Sequence, residues 1–325
     1  MGGCFMFRRN FIPILILLLI SFFILKPATV SEGAFNGLKI WVTNIIPYLF
    51  PMSVLSNILL KYNFIYRAFE RFSFISEKFL KNKYAMIPYF ISFVSGYPSG
   101  AMTINTMLEN KRINEKEANY LISFTNNCSF QFIAGAISFS MLNNFNLFKY
   151  IAVPHFIGAI ILSFFIKNNT PYSNKGKSVR QSQSTFHQAF SSSIYKSVTG
   201  ILTVGGVIVI FSVFSGFFNE ILTSLSDTIS LSPYIKDIVY SLVVGSLELT
   251  NGCSIISSSS YVPLELKLII INFLVSFSGM SVIFQTFAVT DKFELNLKNY
   301  VAYRFMLGII SALICILMLS LTPSP

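Results

Sequence analysis

The chain has 325 residues, 24 of them basic and 13 acidic, so 11% of the side chains are charged while 53% are hydrophobic. That balance excludes a disordered segment and a charge-coated soluble domain, and 35 Phe with 15 Tyr describe a surface that faces lipid. The net charge of +11 is spread between hydrophobic runs, without basic clusters carrying base-stacking aromatics, which excludes a nucleic-acid partner and makes the basic residues topology signals.

Charge-poor apolar runs fall at about 10–25, 40–60, 84–108, 118–142, 150–166, 197–219, 238–260, 268–290 and 305–321. Most approach the roughly 20 residues a helix needs to cross a bilayer core. The first follows Arg8 and Arg9, and the residues behind it, Lys26-Pro27-Ala28-Thr29-Val30, form no A-x-A cleavage site. It is read as a membrane anchor with a cytoplasmic N-terminus, a cleaved signal peptide being the weaker alternative. Residues 1–39 are then an anchor helix and connector, 40–166 a first repeat, 167–196 a polar, basic cytoplasmic linker free of acids, and 197–325 a second repeat.

Two runs carry helix-breaking residues at their centres. Residues 84–108 contain Ser95-Gly96-Tyr97-Pro98-Ser99-Gly100, and residues 238–260 contain Gly245-Ser246-Leu247-Glu248-Leu249-Thr250-Asn251-Gly252. Non-helical backbone survives at membrane depth only where protein or a wet cavity satisfies it, so each run is expected to enter and return as a re-entrant hairpin. Each half has about a dozen residues, roughly 16–18 Å of helix, which reaches mid-bilayer. With both runs re-entrant, 19 basic residues lie on the cytoplasmic side and 5 outside; with both crossing, the split is 13 to 11. The positive-inside bias favours seven transmembrane helices plus two hairpins.

A shift of about 152 residues lays Gly96 on Glu248, Thr125-Asn126-Asn127-Cys128 on Phe277-Ser278-Gly279-Met280, and 150–166 on 302–318. Three crossings per half make the second copy inverted. The expected fold is therefore all-α and polytopic, an inverted internal repeat with interrupted helices meeting at mid-membrane, which is how secondary transporters are built.

Four interruptions converge in this arrangement. Helix N-termini there would present N–H groups and partial positive charge to carboxylate or phosphate oxygens. Ser95, Gly96, Ser99, Thr125, Asn126, Asn127, Thr250, Asn251, Ser278 and Ser281 would add small polar contacts, and Tyr97 an aromatic face. The same residues also serve close helix packing and capping, and both readings stand. Glu248 is the only charged residue between Asp237 and Glu265, which makes it a proton or Na⁺ coupling site, a direct substrate ligand, or a helix cap. Gln285 is glue or ligand, and His155 interfacial packing or part of a proton route. Cys4, Cys128, Cys253 and Cys315 are scattered, His155 and His187 are the only histidines, and no Walker loop or paired nucleophile and base occurs. The chain is thus read as no enzyme, with no metal and no cofactor beyond an H⁺ or Na⁺ coupling ion.

The motifs Ser95-Gly96-Tyr97-Pro98-Ser99-Gly100-Ala101, Ser123-Phe124-Thr125-Asn126-Asn127, Leu247-Glu248-Leu249-Thr250-Asn251-Gly252 and Ser276-Phe277-Ser278-Gly279-Met280-Ser281-Val282 with Gln285 occur in order across nearly the whole chain. Together they resemble the sporulation integral membrane protein family called YlbJ or SpoVV, whose members carry the nucleoside-recognition Gate domain. The resemblance implies a relative of concentrative nucleoside transporters that passes dipicolinic acid from the mother cell across the outer forespore membrane. Relatives of that transporter class also assemble, which adds a homo-oligomer to the expectations. The chain departs from the family pattern at Met102, where members often have a basic residue, and at Cys128-Ser129-Phe130, where a proline often follows the Thr-Asn element. Without that basic residue an anion is left to backbone dipoles and hydroxyls. A Na⁺- or H⁺-coupled nucleoside or nucleobase carrier, and a non-transporting scaffold for spore maturation, stay open beside the dipicolinate reading.

Overall fold

A computed structural model describes residues 2–166, 185–229 and 231–321. The described chain is helical throughout, and large apolar side chains remain exposed along its outside: Leu17, Leu25, Phe165, Leu202 and Leu317 are each at least 58% accessible. In water such a belt would drive aggregation; in a bilayer it is the solvated surface. The protein is an all-α polytopic membrane protein. Four helical segments are long and apolar enough to span: Phe145–Phe165, Phe186–Leu225, Leu264–Val289 and Leu297–Leu321. A fifth is available if Ile16–Leu25 and Pro27–Thr43, bent by 102° at Lys26, act together.

The first helix, α1 (Gly2–Leu25), stops at Lys26 because the residue before a proline is pushed out of the helical region, and Pro27 then opens α2 (Pro27–Ile40) at its first turn. The stretch expected as a connector is therefore a helix. It carries Glu32 and Lys39, which hid it from a search for charge-free runs, and it lies along α10 (Phe186–Ile229) through small residues: a Cβ on Gly33 would come within 2.8 Å of Val213 Cα, and one on Gly37 within 2.9 Å of Val209 Cα. Lys26 and Thr29 of this region hold Glu220 of α10 at 3.4 and 2.5 Å. Helix α10 starts inside the segment expected as linker, with Thr185 and Gln188 capping each other's backbone N–H groups; residues 167–184 of that linker lie outside the described residues. A π-helical turn, Trp41–Ile45, leads from α2 into α3 (Ile46–Leu59). Two short helices follow, α4 (Asn63–Glu70) and α5 (Ser73–Leu80).

The centrally broken runs fold as pairs of short helices. α6 (Met86–Ser95) packs against α7 (Ser99–Glu109), and α11 (Pro233–Leu247) against α12 (Leu249–Ser258). The interrupted helices are α8 (Glu115–Thr125), followed by extended backbone and a π-helical segment, Phe132–Met141, and α13 (Leu264–Phe277), followed by α14 (Gly279–Val289). α9 (Phe148–Phe165) and α15 (Leu297–Leu321) close the two halves and pack on each other. The runs divided by Gly, Pro and Asn yield helices of 10–15 residues, too short singly to span, which is why fewer full-length spans are present than apolar runs.

The α11–α12 pair meets backbone to backbone. A Cβ on Gly252 would stand 2.2 Å from Gly245 Cα and 2.8 Å from the Ser241 carbonyl, neither of which can swing aside. At exposed Gly135 nothing lies within 4 Å of an added Cβ. Gly252→Ala is expected to destabilise the detergent-solubilised protein by about 1–3 kcal/mol or more, whereas Gly135→Ala stays within about 0.5 kcal/mol of the parent. Thermal unfolding followed through Trp41, the single tryptophan, measures both.

Candidate functional site

The first break is built on Gly96. Its φ of +78° lies in the region that favours glycine, and a side chain there would also press on Ser129 at 3.2 Å. The tip is tied to the end of α8: Ser92 Oγ donates to the Thr125 carbonyl, and Ala101 N, in the first turn of α7, donates to Asn126 Oδ1 at 3.3 Å. Asn126 then reaches into the other half of the chain, its Nδ2 donating to Thr286 Oγ1 at 2.9 Å and to Tyr300 Oη at 3.0 Å. Asn127 turns back and donates to the Phe124 carbonyl at 2.8 Å. Thr125, Asn126 and Asn127 are each wholly buried, so these bonds stand in for the intrahelical ones that the break removes.

His155 belongs to the same frame. It is fully buried, not interfacial: Nε2 accepts from Cys128 N at 3.1 Å, and Nδ1 lies 2.8 Å from Ser276 Oγ. Because Nε2 is an acceptor, the ring proton of the neutral tautomer sits on Nδ1 and is donated to Ser276. One imidazole thus joins the break after α8 to the end of α13. Sequence spacing carries no trace of that pairing.

In the second half, Glu248 leaves the helix with φ −136°, and its carboxylate accepts from Asn251 N at 2.8 Å. It is the N-cap of α12, and its charge sits where the helix dipole stabilises it. The break between α13 and α14 has Ser278 and Gly279 both in the left-handed region, at φ 73° and 70°. Gly279 is pressed against the Gly245 carbonyl, 2.9 Å from where a Cβ would stand, so this break abuts the α11–α12 tip as Asn126 abuts the α6–α7 tip. Gln285 donates to Ser281 Oγ at 3.1 Å, one turn back on α14.

These parts surround a cavity of about 480 Å³. Ser95, Gly96 and Tyr97 of the first break, Glu248 and Thr250 of the second, and Gln285 of α14 line it, with apolar Leu49, Val204 and Ile208 from α3 and α10 on the remaining wall. Of the other residues singled out from the sequence, Ser99, Thr125, Asn126, Asn127, Ser278 and Ser281 are buried behind the wall, and Asn251 faces a neighbouring polar cavity of about 700 Å³. Ile40 and Thr43 border both cavities. Sequence reasoning missed Thr43, Cys128, Ser129 and Gln131, which also line the first cavity. It also missed Arg304, assigned to a cytoplasmic segment because it precedes the last charge-free run. Arg304 is instead fully buried in α15, where its Nη1 donates to the Asn126 carbonyl at 3.1 Å and to Asn127 Oδ1 at 3.4 Å.

Asn126→Ala would leave the Ala101 N–H and the Thr286 and Tyr300 hydroxyls without this partner. The expected cost is about 1–3 kcal/mol of stability, read as a lowered unfolding midpoint in detergent, with Asn126→Asp failing to restore it because both Nδ2 donors are lost.

No family model matches the chain, and no solved structure matches it. Among curated proteins, it is similar to the sporulation integral membrane protein YlbJ of Bacillus subtilis (strain 168), 27% identical over 349 aligned residues that cover 93% of this chain and 82% of the relative. The chain is an integral membrane protein distantly related to a sporulation membrane protein.

Proposed function

We propose that the protein is a secondary transporter of a small organic anion, above all dipicolinic acid, moved from the mother-cell cytoplasm across the outer forespore membrane. The observation that carries this reading is that residues 95–97, at the break between α6 and α7, and 248–250, at the head of α12, line one cavity. The head of α12 and the backbone between α6 and α7 thereby face a common space. Its volume of about 480 Å³ falls among small-ligand sites, and Tyr97 offers a flat aromatic face. Dipicolinate is a flat ring with two carboxylates, which the head of α12, the polar break at Gly96 and the aromatic face of Tyr97 would receive. Glu248 would couple transport to H⁺ or Na⁺, relieving repulsion when it is protonated or ion-bound as the dianion enters.

The same reading takes α6–α7 and α11–α12 as re-entrant hairpins within seven crossings and an inverted, Gate-type repeat. One feature supports it: each helix pair docks its tip on the interrupted helix of its own half. A nucleoside or nucleobase carrier fits the same cavity. A scaffold role does not use the cavity at all.

Uptake of labelled dipicolinate and of labelled uridine into proteoliposomes, each competed by the other unlabelled compound, separates these readings. Uptake of dipicolinate alone is expected; uptake of uridine alone favours the nucleoside carrier. No uptake and no ligand-induced thermal stabilisation, together with normal spore dipicolinate in a deletion strain, would leave the scaffold. Glu248→Gln should abolish uptake or its pH dependence at unchanged protein level, and unaltered uptake at every pH rejects the coupling role.

A further inference from the structure

Arg304 is the largest fully buried side chain among the described residues, and none of the ion pairs found among them involves it. Its two contacts, the Asn126 carbonyl and Asn127 Oδ1, are neutral oxygens, and both use Nη1. Nε and Nη2 are buried and find no acceptor among the described residues. These two N–H groups share one edge of the guanidinium plane and form the parallel pair that a carboxylate accepts with both oxygens.

The charge lies close behind the cavity wall. Its Nη1 is bonded to Asn126 and Asn127, and the next residue, Cys128, donates its N–H to His155. Tyr97 and Cys128 line the cavity itself. His155 is held as a neutral ring by its two hydrogen bonds and brings no counter-charge. Glu248, the acid of the cavity, is occupied by the N-terminus of α12. A buried guanidinium that meets only neutral oxygens is costly to hold, and a ligand carboxylate is the chemical group that offsets that cost.

We propose that Arg304 is the group that makes the cavity select an anion: a ligand carboxylate lodged between Tyr97 and Cys128 engages the Nε and Nη2 edge, while Nη1 stays tied to the break after α8. This assignment rests on the carrier reading and adds the residue that sets its ligand charge. It also couples binding to architecture, because the same guanidinium that meets the ligand fixes Asn126 and Asn127.

The test uses the full-length protein in detergent or nanodiscs and two probes of the same shape, pyridine-2,6-dicarboxylate and the neutral pyridine-2,6-dicarboxamide, with affinities read by calorimetry. The wild type is expected to bind the dicarboxylate roughly tenfold or more tightly than the diamide. Arg304→Gln should lose that preference while still binding the diamide. Arg304→Lys, which keeps the charge and loses the fork, should keep the preference and bind the dicarboxylate roughly tenfold more weakly. An Arg304→Gln protein with the wild-type preference overturns the assignment and leaves the carrier reading standing. If that variant does not fold, Arg304→Lys decides: unchanged dicarboxylate affinity overturns the assignment. A wild type that binds neither probe overturns the carrier reading and the assignment with it.

Discussion

The amide of Asn126 is the interaction on which the rest of the site depends. A helix that stops inside a membrane leaves backbone groups that water cannot reach, and each must find a partner within the protein. Asn126 supplies several at once: its side chain receives the first turn of α7 and donates to α14 and α15, and its carbonyl takes one N–H from Arg304. Breaking the helix at this residue therefore joins the two halves of the chain. Glu248 does the corresponding work at the head of α12, and His155 connects the backbone after Asn127 to the end of α13.

Packing makes these bonds geometrically available. The short helices approach through residues without side chains, Gly245 on Gly252 and Gly100 on the Asn126 backbone, so their tips sit where the interrupted helices open. Around them α2 and α10 form a seam of small residues, and Ser53, Asn57 and Ser197 clasp α3 to α10 at 3.0 Å. The cavity is the space left where these rigid pieces meet. It is apolar on the side of α3 and α10 and polar on the side of the breaks, the combination that orients a small ligand.

Much of this was legible in the residues because Gly, Pro and Asn are conspicuous inside apolar runs. The breaks at Gly96, after Thr125, at Glu248 and at Ser278 all lie where their local chemistry predicts. Glu248 was visible as a lone charge, although its capping bond needed coordinates. Helix α2 was hidden because Glu32 and Lys39 make it too polar for a span, while its helical character comes from Pro27 at the first turn and from glycines facing α10. Arg304 was hidden for the opposite reason: positive residues next to apolar runs normally mark a cytoplasmic loop, and only the tertiary fold carries this one into the interior. The His155 bridge was illegible in principle, since its partners lie 27 and 121 residues away.

The central claim is that the two helix pairs enter the bilayer and return on their own side, bringing their tips together. Single cysteines at exposed Lys116, after α7, and at exposed Tyr261, after α12, in a background free of the four native cysteines, test it directly. With a membrane-impermeant maleimide applied to vesicles of each orientation, Lys116→Cys is expected to label only from the cytoplasmic face and Tyr261→Cys only from the outer face. Labelling of Lys116→Cys from the outer face would mean that the first pair crosses, and labelling of Tyr261→Cys from the cytoplasm while Lys116→Cys stays cytoplasmic would mean that the second does; either result would contradict the account.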